Sequence, residues 1–497
     1  MRTSGILMPV FSLGSKYGIG TLGREAYRFV DFLKKSGQTY WQMLPVGTTG
    51  FGDSPYQSFS AYAGNPYFID LDMLVEEKLL KTEEIEALEW GKSSAKVDYE
   101  ILYKNRFLIL RKAHGRFKKS VPQDYGVFCK FNAYWLDDYA LFMAIKDSLN
   151  GASFDVWRDG LKFRVPEYIK QARTELCDDI DFYKMQQYLF YRQWTMLKKY
   201  ANKNGVYIIG DIPIYAAYDS ADVWASPEHF LLDKNLCPTA VAGCPPDAFS
   251  DDGQLWGNPL YDWDYMEKDG YRWWLNRIGY AVKLYDVVRI DHFRGFSAFY
   301  SIPYGDKTAA NGKWVKGPGV KLFDAVFSKL GRPDIIAEDL GTLDGDVHSL
   351  LKYTGFPGMK VLQFAFDPGA DSAYLPHNIT KNSVVYTGTH DNDTAMGFLD
   401  SAPESELEFM RKYLRISNDE SFNWAIIKSA MATVADTAIF QMQDFLGLDN
   451  SARINTPSVP EGNWQWRIDS NCINDWLAGI IFEITKLYRR LPQEKII

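Results

Sequence analysis

The sequence predicts an α/β fold, a (β/α)8 (TIM) barrel with inserted subdomains between strands and no separate C-terminal β domain. Eight short apolar segments alternate with longer segments of helical periodicity. The apolar segments are mostly continuous, which is typical of parallel strands that are covered on both faces. Eight such strands close into a barrel with a filled interior. A doubly wound open sheet would also fit this alternation.

The predicted strands follow one another along the chain. They are Tyr40–Pro45, Phe68–Leu74, Val206–Ile214, Asp286–Asp291, Asp334–Glu338, Met359–Phe366, Ser383–Thr387 and Thr437–Phe445. Apolar residues at helical spacing predict a helix before the first strand, one before Asp286 and one near the end of the chain. Their apolar faces comprise Ala26, Phe29, Val30 and Leu33; Trp274, Ile278, Ala281, Val282 and Tyr285; and Trp476, Leu477, Ile480, Ile481, Ile484 and Leu487.

Two connections are too long for a single crossover helix. They run over about residues 75–204 and 215–279. We therefore predict one barrel domain over residues 1–497, with these two segments as inserted subdomains.

Charge and cysteine content exclude several classes of protein. Among the 497 residues, 55 are Lys or Arg and 63 are Asp or Glu, which gives a net charge of −8. This balance argues against a nucleic-acid partner, because such proteins neutralise phosphates with excess positive charge. The five cysteines are never spaced C-x-x-C, so neither a zinc ribbon nor a disulfide framework is expected and a reducing cytoplasm fits.

Other signals for membranes, nucleotides and metals are weak. The apolar run within Met1–Val10 is shorter than the core of a signal peptide, and no stretch approaches the ~20 apolar residues of a membrane span. Gly18–Gly23 matches G-x-G-x-x-G but has no acidic residue about 20 positions further on. No H-E-x-x-H occurs. We predict a cytoplasmic protein with no membrane partner, no cofactor and no metal.

Three strand-like segments end in carboxylates. Asp291, Glu338 and Asp391 lie in residues 287–294, 335–341 and 386–394. Catalytic residues of barrels gather at the carboxyl ends of the strands, so the three acids are expected to meet in one pocket. Glycosidic bond chemistry needs one carboxylate as nucleophile and one carboxylic acid as proton donor. The 15 Trp, 31 Tyr and 31 Phe weakly favour a carbohydrate ligand.

Strand alternation assigns roles to these acids. Arg289 and Asp291 share a face, so the guanidinium is expected to lower the pKa of Asp291 and keep it an anionic nucleophile. Glu338 emerges from an apolar strand, which favours a raised pKa and a general acid, while Asp339 points the other way. His390 next to Asp391 would add a hydrogen-bond donor. Patterning alone reaches only a carboxylate enzyme on an α/β scaffold.

At these residues the chain resembles the 4-α-glucanotransferases of the amylomaltase or disproportionating type, which are related to the α-amylase superfamily. The resemblance extends from Gly5 to the Trp464–Arg467 region. Its motifs are Ser54–Ser58, Ala63–Pro66, Gly210–Ile214, Gly253–Tyr261, Arg289–Gly295, Trp314–Gly319, Ala337–Gly341, Thr389–Thr394 and Gly462–Arg467.

The resemblance implies a retaining mechanism with Asp291 as nucleophile and Glu338 as acid and base. Asp391 would bind hydroxyls of the distorted sugar and stabilise the transition state. The carboxyl groups of Asp291 and Glu338 are then expected ~5–5.5 Å apart. The implied substrate-binding residues are Arg289, His390, Tyr56, Trp256, Gln254 and Asn463. The implied substrates are maltooligosaccharides and α-1,4-glucans derived from starch or glycogen.

The sequence departs from the family pattern at Cys244 and Ala248, where an aliphatic residue and a tyrosine are common, and at Ser458, a frequent glycine. None of these positions is one of the three carboxylates, so the departures bear on chain-length preference. Two alternatives remain open at this point. They are an α-glucan hydrolase with the same carboxylates and a non-catalytic glucan-binding protein.

Overall fold

Twelve strands form two sheets in the part of the chain that the computed structural model describes, which is residues 2–246, 252–341, 343–417, 420–459 and 461–492. The strands are β1 Thr3–Leu7, β2 Tyr40–Gln42, β3 Tyr207–Ile212, β4 Ala240–Cys244, β5 Gln254–Pro259, β6 Val287–Ile290, β7 Ala298–Pro303, β8 Lys313–Lys316, β9 Ile335–Ala337, β10 Gly358–Val361, β11 Ser383–Tyr386 and β12 Thr437–Gln441.

Eight of these strands form a closed parallel barrel in the order β1-β2-β3-β6-β9-β10-β11-β12. Closure is made by β1, which pairs with β12 through Thr3 and Thr437 and with β2 through Gly5 and Tyr40. The predicted barrel is thereby confirmed, and the open doubly wound sheet is excluded. After β12 the described residues form helices and no further strand.

The other four strands form a separate antiparallel sheet in the order β5-β4-β7-β8. Strands β4 and β5 lie in the connection after β3, and β7 and β8 lie in the connection after β6. This sheet was not predicted. It brings the Gln254–Pro259 segment to the same region as the loop that follows β6.

Helices lie in all the connections between barrel strands except that between β10 and β11, which has only the 3-10 turn Leu362–Phe364. The helices are α1 Arg24–Lys35, α2 Leu71–Glu76, α3 Thr82–Glu86, α4 Tyr99–Phe117, α5 Tyr125–Ser148, α6 Asp159–Lys162, α7 Pro166–Glu175, α8 Cys177–Lys203, α9 Ala221–Ala225, α10 Trp263–Lys268, α11 Arg272–Leu284, α12 Val320–Leu330, α13 Gly345–Thr354, α14 Ala395–Ser401, α15 Glu404–Leu414, α16 Phe422–Ala432, α17 Met442–Leu446 and α18 Asp475–Leu487. The long connection between β2 and β3 contains α2–α8, and α9–α11 lie between β3 and β6. The division into inserted subdomains at 75–204 and 215–279 stays a prediction.

One predicted strand is wrong and one barrel strand was missed. Residues 68–74 form the end of a 3-10 turn and the start of α2, because Asn65 Oδ1 accepts a hydrogen bond from Tyr67 N and Asp70 Oδ1 accepts one from Met73 N. Such side-chain caps favour helical turns over a strand. The missing barrel strand is β1, whose apolar residues belong to the run that was considered only as a short signal-like segment.

The helices predicted before the first predicted strand and before Asp286 bury their apolar faces, whereas the face predicted near the end of the chain is only partly buried. Leu477 and Ile481 of that face are buried, but Trp476 and Leu487 are exposed. Ala26, Phe29, Val30 and Leu33 of α1 are fully buried, as are Trp274 and Ile278 of α11. Burial of such faces supplies most of the stability of helices in a folded chain. Among the described helices, none combines the length and apolar character needed to cross a lipid bilayer.

Candidate active site

Asp291 and Glu338 follow directly on neighbouring barrel strands. Ile290 of β6 pairs with Ala337 of β9, so the two acids occupy the next position on each strand. Backbone hydrogen bonds continue past the strand ends, from Asp291 N to Ile212 O and from Glu338 N to Ile290 O, both 3.0 Å. Because paired residues of parallel strands project to the same side about 4.8 Å apart, both carboxyl groups face the same pocket.

A third carboxylate, Asp211, lies beside them and was not predicted. Asp211 of β3 pairs in register with Arg289 of β6. Its Oδ2 accepts a hydrogen bond from Arg289 Nη1 at 2.6 Å and another from the Tyr56 hydroxyl at 2.8 Å. Arg289 Nη2 lies 3.0 Å from Asp291 Oδ1. One buried guanidinium therefore joins Asp211 and Asp291.

Burial changes the expected ionisation of Asp291. Desolvation raises the pKa of Asp291, and the nearby Arg289 guanidinium only opposes this rise. The expectation that Arg289 lowers the pKa of Asp291 is therefore wrong in its net direction, since the cost of burying a charge was left out. Burial likewise raises the pKa of Asp211 to about 7 against the effect of Arg289. Arg289 remains the group that favours the anionic form of both acids.

Glu338 is held by two backbone amides. Its Oε2 accepts a hydrogen bond from His292 N at 2.6 Å, and its Oε1 accepts one from Leu340 N at 2.8 Å. His292 presents its N–H from a left-handed backbone conformation with φ of 51°. Burial, followed by the charge of Asp291, raises the pKa of Glu338 to about 7. The predicted rise in the pKa of Glu338 is confirmed, and a carboxyl with this pKa can give and take a proton near neutral pH.

Asp339 takes no part in this pocket. Its Oδ1 accepts a hydrogen bond from Met359 N at 2.6 Å, and its Oδ2 lies 3.6 Å from Lys360 Nζ. Both partners belong to β10, which confirms that Asp339 points away from Glu338, as strand alternation predicts.

Asp391 reaches the pocket from the loop after β11. Its Oδ2 lies 3.3 Å from His390 Nε2, and its Oδ1 accepts a hydrogen bond from Asn455 Nδ2 at 2.5 Å. Burial lowers the pKa of His390, which keeps this imidazole neutral at physiological pH. Asp391 and Asp291 are close enough for the charge of Asp391 to raise the pKa of Asp291.

Aromatic rings line the same region. The Tyr56 ring stacks on the His390 ring with centroids 5.3 Å apart, and the Trp464 ring lies 5.8 Å from Tyr56. Trp256 stands edge-on to His292 at 4.8 Å, and its Nε1 donates to Gln254 Oε1 at 3.0 Å. Tyr56 and Trp256 are half-buried, and such rings can stack on the apolar faces of sugars, whereas Trp464 is buried.

Asn463 lies in a different setting from the other predicted residues. Its Oδ1 accepts a hydrogen bond from Thr456 N at 2.8 Å, and its Nδ2 donates to Val459 O at 2.7 Å. The amide thus links Thr456 and Val459 to Asn463, which precedes Trp464, whose ring lies beside those of Tyr56 and His390. Of the departures from the family pattern, Cys244 ends β4, whereas Ala248 lies outside the described residues.

The described residues contain no group of three or more His, Cys, Asp and Glu side chains arranged to hold a metal ion. The carboxyl groups of the site can perform nucleophilic attack, proton transfer and stabilisation of positive charge.

Sequence reasoning missed three further parts of the site. The signal for Asp211 was present, since a lone carboxylate interrupts the apolar run Val206–Ile214. His292 and Asn455 gave no signal, because a left-handed backbone and a loop contact depend on tertiary structure.

Comparison with known proteins agrees with this geometry. The family model described as 4-alpha-glucanotransferase matches residues 8–472. A 4-alpha-glucanotransferase of Clostridium butyricum is 50% identical over 97% of this chain and 100% of its own length, and one of Streptococcus pneumoniae is 46% identical over 100% and 99%. The structure of an amylomaltase from Streptococcus agalactiae in complex with acarbose superposes with a TM-score of 0.97 at 42% identity, covering 99% of this chain and 100% of that one.

Proposed function

The chain belongs to the 4-alpha-glucanotransferase family, and from this premise we propose how its carboxylates perform the transfer. A segment of a 1,4-α-glucan passes to the 4-hydroxyl of an acceptor glucose or glucan with retention of configuration. The substrates are maltooligosaccharides and the α-1,4-glucans of starch or glycogen, and the protein acts in the cytoplasm.

In the first step, the Asp291 carboxylate attacks the anomeric carbon of the donor. The bond from this carbon to the glycosidic oxygen breaks, and Glu338 gives its proton to the departing oxygen. The products are a glycosyl ester on Asp291, an ionised Glu338 and a shortened glucan with a free 4-hydroxyl.

In the second step, the 4-hydroxyl of the acceptor attacks the same carbon. Glu338 takes the hydroxyl proton and the Asp291 carboxylate leaves, so both acids return to their starting state. Two inversions at one carbon give net retention.

Three observations support these roles. Asp291 and Glu338 follow paired residues of adjacent strands, a placement that supports the ~5–5.5 Å separation proposed for their carboxyl groups. The Arg289 guanidinium forms an ion pair with Asp291 and favours the ionised form of this carboxyl group. The backbone amides on Glu338 stabilise the ionised form that exists between the two steps.

The remaining residues bind the substrate in this proposal. Asp391 and His390 contact hydroxyls of the reacting sugar, and the negative charge of Asp391 stabilises the oxocarbenium-like transition state. Arg289 contacts the same sugar. The rings of Tyr56 and Trp256 stack on glucose units, and Gln254 and Asn463 line the groove.

The single observation that carries the proposal is the meeting of Asp291, Glu338 and Asp391 at the carboxyl end of one barrel. Incubation with maltotriose tests it. Transfer conserves the number of glycosidic bonds, so glucose and longer oligomers should appear without net gain in reducing ends. Products no longer than maltotriose, with rising reducing ends, would identify a hydrolase instead.

Asp291→Asn tests the nucleophile, with Asp334→Asn as the matched control. Asp334 is exposed and lies at the opposite end of β9. The first variant should bind maltooligosaccharides without turning them over, while the second keeps the wild-type rate. Wild-type turnover by Asp291→Asn would overturn the assignment.

A further inference from the structure

The loop that contains Asn455, after β12 and α17, forms hydrogen bonds with two consecutive residues of the loop after β11. Asn455 N donates a hydrogen bond to His390 O at 3.1 Å, and Asn455 Nδ2 donates one to Asp391 Oδ1 at 2.5 Å. Asn455 therefore fixes both the backbone before Asp391 and the rotation of its carboxyl group.

Arg453 reinforces this contact from the same loop. Its Nη2 donates to Asp391 O at 2.6 Å, its Nε donates to Asn455 O at 2.8 Å, and its Nη1 forms an ion pair with Asp393. One guanidinium thus ties together the backbone of Asp391, the backbone of Asn455 and the side chain of Asp393.

The position of Asp391 depends on such loop contacts more than the positions of Asp291 and Glu338 do. Asp291 and Glu338 each follow the last residue of a strand, so the sheet register sets their positions. Asp391 stands five residues beyond Tyr386, the end of β11. No strand register fixes its carboxyl group, and displacement of a catalytic group by about 1 Å can cost about 100-fold in rate.

We propose that Asn455 is the positioning residue for Asp391 and that Arg453 holds the two loops together. This inference rests on the proposed function, in which Asp391 stabilises the transition state. An amide is suited to the task because it donates one hydrogen bond and carries no charge. The full negative charge of Asp391 stays available to the developing positive charge on the sugar.

Asn455→Ala is the first test, measured as kcat and KM for maltotriose disproportionation. Loss of the hydrogen bond should lower kcat about 10- to 100-fold while KM changes less than about threefold, since Asp391 acts mainly in the transition state. Wild-type kcat in Asn455→Ala, with Asp391→Asn inactive, would overturn the inference.

Asn455→Asp gives a readout that a merely structural residue would not move. The new carboxyl group can donate to Asp391 only while it is protonated, and two carboxylates at this distance share a proton. Its kcat relative to wild type should therefore fall at least about tenfold from pH 5 to pH 8. The titratable groups that face Asp391 are His390, Asp291 and Tyr56, with Arg453 and Asp393 behind it. They are common to variant and wild type, so the ratio isolates position 455.

Asn202→Asp is the matched control. Asn202 Nδ2 donates to Asp286 Oδ2 at 2.9 Å, and Asp286 precedes β6 at the opposite end from the active site. The same chemical change there should leave the ratio of kcat to wild type independent of pH. All variants are assayed below the onset of thermal unfolding.

The outcomes separate the two proposals. Full activity of Asp391→Asn would refute the role of Asp391 in the proposed function. An inactive Asp391→Asn together with an Asn455→Asp profile parallel to that of the wild type would refute the positioning role alone.

Discussion

Glu338→Gln removes the proton that the proposed mechanism needs and leaves the size of the side chain nearly unchanged. General acid–base catalysis typically contributes 10²- to 10⁴-fold, so kcat/KM for maltotriose should fall by about that factor, or about 3–5 kcal/mol of transition-state stabilisation. The wild-type kcat/KM should fall about tenfold per pH unit above pH 7, because burial and Asp291 raise the pKa of Glu338 to about 7. The variant should lack this alkaline decline.

A donor that needs no proton separates this role from positioning. A maltooligosyl fluoride loses fluoride without protonation, so its reaction with Asp291 should proceed in Glu338→Gln at a rate within about tenfold of the wild type. Transfer to the acceptor should remain slow, because the second step still needs a base. Glycosyl-enzyme is then expected to accumulate, which a burst of fluoride release measures.

The same substitution should change how stability depends on pH. Burial and the charge of Asp291 raise the pKa of Glu338 from the ordinary value of 4.5 to about 7 in the folded chain. The folded state therefore binds the extra proton, and its stability falls as pH rises through this window, by about 1.4 kcal/mol per pH unit and about 3 kcal/mol in total.

Urea unfolding of wild type and Glu338→Gln at pH 5 and pH 8 measures this difference. The variant should be about 2.5 kcal/mol more stable relative to wild type at pH 8 than at pH 5. The glutamine side chain fits the two backbone N–H groups less well than a carboxyl group does. This loss of stability is the same at pH 5 and pH 8, so it cancels when the two pH values are compared. Equal pH dependence in both proteins, or equal loss of rate with maltotriose and the fluoride, would refute the reasoning.

Substitutions at three other positions test separate parts of the site. Trp256→Ala should raise KM for maltooligosaccharides at least about tenfold. Trp274 is fully buried, so Trp274→Ala should instead lower the free energy of unfolding in urea by about 3–5 kcal/mol. The reverse pattern would make Trp256 a core residue. Glycine at position 292 can adopt the left-handed backbone conformation from which His292 N binds Glu338, whereas a β-branched residue resists positive φ. His292→Gly should therefore have a higher kcat than His292→Val. Equal kcat values would show that this backbone conformation does not affect catalysis. Asp211→Asn should be more stable relative to wild type at pH 8 than at pH 5, because burial raises the pKa of Asp211 to about 7 and makes its ionised form the disfavoured one. The same difference in unfolding free energy at both pH values would contradict this.

The barrel itself was accessible from sequence because its strands are buried on both faces and read as continuous apolar runs. The exceptions have local causes. Residues 68–74 read as a strand, yet the caps at Asn65 and Asp70 turn them into helix. Strand β1 was overlooked because closure of the barrel depends on its partner β12, more than 400 residues away.

In the candidate site, too, residues marked by the local sequence pattern could be predicted, whereas properties set by tertiary contacts could not. Asp291 and Glu338 were recognisable because each ends an apolar strand. The charge state of Asp291 could not be predicted, since the sequence pattern shows the neighbouring Arg289 but not the desolvation of the pocket. Asp211 joins the site through register across β3 and β6, and Asn455 joins it through a loop contact, neither of which has a periodic signal.

Mass spectrometry of the trapped glycosyl-enzyme tests the central claim most directly. Glu338→Gln incubated with a maltooligosyl fluoride should gain the mass of one transferred glucan segment, located by peptide mapping on Asp291. Glu338→Gln combined with Asp291→Asn should gain none. An adduct on Asp211 or Asp391, or turnover without an adduct and with inverted product configuration, would contradict the account.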